Sequence, residues 1–258
     1  MTAGSVTLVG GGPGSDDLIT VGGARALAAA TVVLYDRLAP HENLSALAPG
    51  ALLINVGKQP GHHAISQQGI EELLVEHALA GSTVVRLKGG DPYVFGRGSE
   101  EVIACRAAGV PVAVIPGVSS AIAVPAAAGI PLTHRGVSHL FTVVSGHAPL
   151  TESELEHLAA LGGTIVVLMG VANLVPIMQG LARYGLGGDV PVAIIERGFS
   201  PKQSTTISTV GSVVVDATAA GVRSPAVLVI GEVVRLAYSG DAVAAQTYLR
   251  ASQLAGTP

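Results

Sequence analysis

The chain has 258 residues, room for two modest domains or one large one, and with 49% hydrophobic against 12% charged residues it is not a disordered chain. A formal net charge of -4 argues against a general nucleic-acid-binding surface, although a local basic cluster could still hold an anionic small molecule. The mean hydropathy of +0.56 is high, yet Gly, Pro or charge interrupts every apolar run before the roughly 20 residues that span a bilayer, so no membrane helix is expected.

The first segment has no basic region ahead of a long apolar block, and it reads as the first fold element rather than a signal peptide. Val6-Thr7-Leu8-Val9 predicts a buried strand, Gly10-Gly11-Gly12-Pro13-Gly14 a turn, and residues 21–30 a helix. Strands are predicted at 32–35, 52–56, 83–87 and 112–115, short and rich in β-branched residues, as in a parallel sheet covered on both faces. Helices at about 66–80 and 99–108 alternate with them, the second favoured by Glu100 and Glu101 in its first turn. A small-residue helix at 119–128 is expected to join two halves. The second half predicts strands at 141–144, 165–169, 190–195, 203–209 and 227–230, with helices at 152–160 and 174–184. Residues 213–220 stay ambiguous, because Val213-Val214-Val215 favours extension while 217–220 favours helix. The fold class is therefore α/β, with a parallel-sheet N-terminal domain (1–117), a mixed-sheet C-terminal domain (118–240) and a short tail (241–258).

The single cysteine, Cys105, cannot form an internal disulfide, and a cytoplasmic setting is the simplest. His62 and His63 are adjacent while His134, His139 and His147 fall on separate segments, so no metal site is expected. A dinucleotide-binding reading of the first glycine turn is weak: the glycine spacing is wrong, and Pro13 lacks the amide a phosphate cradle would use. A phosphate loop fails too, since Lys88 precedes Gly89-Gly90 instead of closing the turn. Each glycine turn alone could be a plain strand-to-helix connection.

The most informative run is Arg86-Leu87-Lys88-Gly89-Gly90-Asp91-Pro92-Tyr93-Val94-Phe95-Gly96-Arg97-Gly98, in which paired glycines, a carboxylate and arginines follow a strand. With it stand Val9-Gly10-Gly11-Gly12-Pro13-Gly14, Tyr35-Asp36-Arg37-Leu38, Val56-Gly57-Lys58 before Gly61-His62, Gly129-Ile130-Pro131-Leu132-Thr133-His134-Arg135 and Gly231-Glu232-Val233. In this order and spacing, the chain resembles the tetrapyrrole methylases of cobalamin and sirohaem (porphyrin) biosynthesis over about 6–236, and among them the uroporphyrinogen-III C-methyltransferases. The resemblance implies a transferase that uses S-adenosyl-L-methionine to methylate uroporphyrinogen III at C2 and C7, giving precorrin-2 and S-adenosyl-L-homocysteine. A homodimer, an active site in a cleft between the domains and no metal are implied as well. A fused dehydrogenase and iron-inserting domain, present in some relatives, is not expected.

By the same resemblance Asp36 would accept a proton and Lys58 would donate one or serve as its charge partner. An ordinary Asp is a weak base, so positioning or electrostatic stabilisation is nearly as good a reading of Asp36. Pro13, Gly89, Gly90, Asp91, Val94, Ser119 and Ser120 are the expected donor contacts, with Met169 and Gly198 from the second half; Met169 taken alone reads as a core residue. For the substrate's carboxylates the candidates are Arg37, Arg97 and Arg135, with His134 and His62 behind them, since arginine clamps a carboxylate through two parallel hydrogen bonds. Each arginine could equally be spent on an internal salt bridge. Two departures bear on detail: Ser15-Asp16-Asp17 stands where Asp-Pro is more familiar, and Phe199-Ser200 follows Glu196-Arg197-Gly198 where a Gly-Thr-Thr-like run is usual.

Overall fold

A computed structural model describes residues 4–57 and 65–237; Lys58, His62 and the expected tail at 241–258 lie outside the described residues. The chain divides into two units, Met1–Ser120 and Ala121–Pro258.

In the first unit, strands β1 (Ser5–Gly10), β2 (Val32–Tyr35), β3 (Leu52–Asn55), β4 (Thr83–Lys88) and β5 (Val112–Ile115) form an all-parallel sheet in the order β3-β2-β4-β1-β5. Helices α1 (Val21–Ala28) and α2 (Leu44–Leu47) supply Leu27 and Leu44 to the core on one face, around Val9, Val33, Val85 and Leu87. Helices α3 (Gln67–Leu79) and α4 (Gly98–Ala107) cover the other, where Ile70, Leu74, Val102 and Cys105 meet Val6, Leu8, Leu34 and Val84. Both faces are buried, which is why the strands read as unbroken apolar runs. The exception is β4: strand alternation puts Arg86 and Lys88 on the same side as Val84, and both are buried.

The second unit carries β6 (Phe141–Ser145), β7 (Thr164–Leu168), β8 (Pro191–Glu196), β9 (Ser204–Thr209) and β10 (Ala226–Ile230), ordered β6-β7-β10-β8-β9. The β6–β7 pair is parallel and the other pairs antiparallel, so the sheet is mixed. Side chains alternate between two cores: Ile165, Val167, Ile194 and Leu228 face one, and Val166, Leu168, Ile195 and Val229 the other. Helices α5 (Ser120–Ala127), α6 (Glu152–Leu161) and α7 (Leu174–Arg183) precede the ambiguous segment. That segment is helix α8 (Val213–Ala219), because Val213 and Ala217, one helical turn apart, both fill the core, and Asp216 accepts a hydrogen bond from Ser208 on β9. The described residues contain no helix long and apolar enough to cross a membrane.

Candidate active site

Parallel strands release their loops at one edge, and in the first unit three of those loops are packed backbone to backbone. Gly11 N donates to the Lys88 carbonyl at 2.7 Å, and Gly90 N donates to the Gly12 carbonyl at 2.7 Å, so the turns after β1 and β4 are hydrogen-bonded to each other. A Cβ on Gly10 would stand 2.4 Å from Gly117 N, and one on Gly117 would stand 2.3 Å from Gly90 O. Only glycine allows this approach. Asp91 fastens the assembly: Oδ1 accepts from Tyr93 N at 2.8 Å and Oδ2 from Gly117 N at 3.0 Å. Gly90 itself has φ +67°, and a Cβ there would meet only Ser120 N at 3.7 Å, leaving a space walled by backbone. Pro13, Gly89, Asp91, Ser119 and Ser120 around it are half-buried, while Val94 is exposed on the following loop.

Asp36 is placed at the same edge. It follows β2, its N donates to the Leu87 carbonyl at 3.2 Å, and a Cβ on Gly89 would lie 3.0 Å from the Leu38 carbonyl carbon. Its side chain, 30% exposed, meets charges that are almost wholly buried. Arg86 Nη2 donates to Asp36 Oδ1 at 2.6 Å, while Arg86 Nε donates to Glu101 Oε1 at 3.1 Å. Lys88 Nζ donates to the same Glu101 oxygen at 2.8 Å and stands 4.0 Å from Asp36 Oδ2. Gln67 on α3 reaches Glu101 Oε1 at 3.4 Å. Burial, and then the Arg86 charge, push the Lys88 ammonium below its ordinary range against the pull of Glu101 and Asp36. Two cations and two carboxylates balance, as charges removed from water must.

Arg86, Lys88 and Glu101 were not among the sequence candidates for catalysis or binding; Glu101 reads there as a helix-terminus acid. The signal was present in the two cations spaced by two along an apolar central strand, which demand a buried counter-charge on the covering helices.

Arg37 is exposed and has no ion pair among the described residues. Arg97, at φ +58°, is held by Glu100 through Nε at 2.9 Å and Nη2 at 2.6 Å. In the second unit, His134 and Ser138 close a short turn that presents Arg135 to solvent, with His134 Nδ1 2.8 Å from the Arg135 carbonyl. Met169 corrects the core reading: it follows β7 at φ +58° and is 45% exposed. Gly198 sits between Arg197 and Phe199, both at positive φ, and a Cβ on it would press within 2.7 Å of Val124 on α5. No group of three metal-ligating side chains converges among the described residues.

The sequence matches the family model for tetrapyrrole (corrin/porphyrin) methylases over residues 5–214. An S-adenosyl-L-methionine-dependent uroporphyrinogen III methyltransferase of Methanosarcina barkeri is 45% identical over 237 residues, 90% of this chain and 93% of that protein. A uroporphyrin-III C-methyl transferase from Thermus thermophilus, solved in complex with S-adenyl homocysteine, aligns with a TM-score of 0.75 at 44% identity, covering 90% of this chain and 99% of that one. A cobalt precorrin-4 methyltransferase aligns with a TM-score of 0.78 at 28% identity, covering 89% and 95%. A parallel-sheet unit followed by a mixed-sheet unit, and a match along most of its length, show that the chain belongs to the tetrapyrrole methylase family.

Proposed function

We propose that the chain is a uroporphyrinogen-III C-methyltransferase, transferring methyl groups from S-adenosyl-L-methionine to C2 and then C7 to give precorrin-2. Methylation of a tetrapyrrole follows from family membership. The choice of acceptor is supported by the identity to the archaeal uroporphyrinogen III methyltransferase. The observation that carries the reading is a carboxylate, Asp36, held by buried Arg86 at the sheet edge that also carries the glycine-walled space.

The residues fit the donor. The space beside Gly90, open where a side chain would stand, suits a ligand lying against backbone, and Pro13, Gly89, Gly90, Ser119 and Ser120 would hold it. When bound, the donor supplies an electrophilic methyl on a sulfonium sulfur. The protein's task is then to fix an electron-rich pyrrole carbon in line with that methyl and to accept the proton lost afterwards. Asp36 takes the second role through Oδ2, which makes no hydrogen bond among the described residues, while Oδ1 is occupied by Arg86. Arg37 and Arg135, both exposed, are the arginines offered to the acceptor's carboxylates.

Incubation with uroporphyrinogen III and methyl-labelled donor under anaerobic, reducing conditions tests the reading. Two equivalents of label in precorrin-2 are expected; binding without transfer, or transfer only to a later precorrin, would overturn it. Asp36→Asn should lower kcat by about 10²-fold or more while leaving donor affinity unchanged.

A further inference from the structure

Glu101 is fully buried, and its Oε2 is a buried side-chain atom without a hydrogen-bond partner among the described residues. It lies behind Asp36, on α4, and reaches it only through two cations. From this arrangement we infer that Glu101 is a positioning residue for the methyl-transfer reaction: it holds Lys88 away from Asp36 and fixes the second arm of Arg86, so that Asp36 Oδ2 stays free to take the proton. The inference rests on the reading of Asp36 given above.

Two carboxylates compete for one mobile charge. Lys88 carries its ammonium on a flexible stem, and Nζ stands 2.8 Å from Glu101 Oε1 but only 4.0 Å from Asp36 Oδ2. Remove the Glu101 charge and the nearest remaining carboxylate is Asp36, about one bond rotation away. In a site this buried an unpaired ammonium is costly, and a move to Oδ2 gives it a partner again while occupying the lone pair the reaction needs. Arg86 behaves differently. Its planar guanidinium donates to Glu101 through Nε, to the Leu87 carbonyl through Nη1 at 3.2 Å and to Asp36 through Nη2, so Glu101, together with that carbonyl, sets the direction from which Oδ1 is held. Replacing every member of a buried ion network by packed apolar side chains is often neutral, so stability alone does not call for this one. Here one member is open to solvent and three are closed off, which is the pattern of a device that orients the exposed member.

The test is a charge-rebalancing rescue, read as kcat with uroporphyrinogen III alongside S-adenosyl-L-homocysteine affinity. Glu101→Gln should lower kcat by about 10²-fold, the low end of what a positioned acid–base group contributes, with the affinity kept. Adding Lys88→Met to Glu101→Gln removes the displaced cation and should restore at least about tenfold of that loss. Unchanged turnover in Glu101→Gln, or a double variant no better than the single one, overturns the inference. Should Glu101→Gln not fold, Glu101→Asp keeps the charge but withdraws it from Lys88, and is expected to lose about tenfold in kcat; an unaltered kcat there also overturns it. Asp36→Asn is measured in parallel: full activity in that variant refutes the reading of Asp36 and the inference with it, whereas an impaired Asp36→Asn without rescue refutes the inference alone.

Discussion

Substituting Gly117 by alanine should disrupt the sheet edge more than any surface change of equal size. The added Cβ would lie 2.3 Å from Gly90 O and 2.6 Å from Gly10 Cα, both backbone atoms, so no side-chain rotation can relieve it. Gly117 is not among the residues at positive φ, which makes the penalty steric rather than conformational. Overpacking of this kind costs about 1–3 kcal/mol, and at roughly 2–4 °C per kcal/mol Tm should fall by several degrees. The shift has to move the turns around Gly10, Gly90 or both, so binding of S-adenosyl-L-homocysteine should weaken as well. Gly22→Ala is the matched control: it lies in α1, its Cβ would meet nothing nearer than Ile115 Cγ2 at 3.5 Å, and helix propensity alone should make it neutral or stabilising by about 0.5–1 kcal/mol. Thermal unfolding and calorimetric titration of the two variants measure both effects. A Gly117→Ala protein that unfolds within a degree of the unaltered protein and binds equally well would refute the packing argument.

Two further predictions concern buried groups. Because the Lys88 ammonium is held below its ordinary 10.5, the unfolded chain binds that proton more tightly. Stability relative to Lys88→Met should therefore rise as pH climbs toward the unfolded value, a trend that denaturant midpoints at about pH 8 and about pH 10 would show or deny. Burial raises the Cys105 thiol to about 11, so it should resist thiol reagents in the native protein at neutral pH and react fully once denaturant is added; rapid labelling of the native protein would contradict its placement.

The strands were legible because parallel sheets buried on both faces need apolar runs, and β1 and β2 supply them. Residues 213–220 were not, since three consecutive valines favour extension by themselves; only the core contacts of Val213 and Ala217 decide for helix. In the site, Asp36 and the glycine turns stood out by motif, while the Arg86, Lys88 and Glu101 cluster did not. Its meaning depends on which face of β4 each side chain takes and on a helix that begins ten residues after the strand ends, a relation that pairs residues 13 to 15 apart. Met169 was named among the donor contacts, but its exposed placement was not legible, because a left-handed backbone at a non-glycine residue leaves no trace in composition.

A structure of the protein crystallised with S-adenosyl-L-homocysteine tests the central claim most directly. The ligand should lie against the backbone of Gly89 and Gly90, within contact of Pro13 and Ser119–Ser120, with its sulfur on the side that Asp36 faces. A ligand bound elsewhere, with the space beside Gly90 filled by water, would contradict the account.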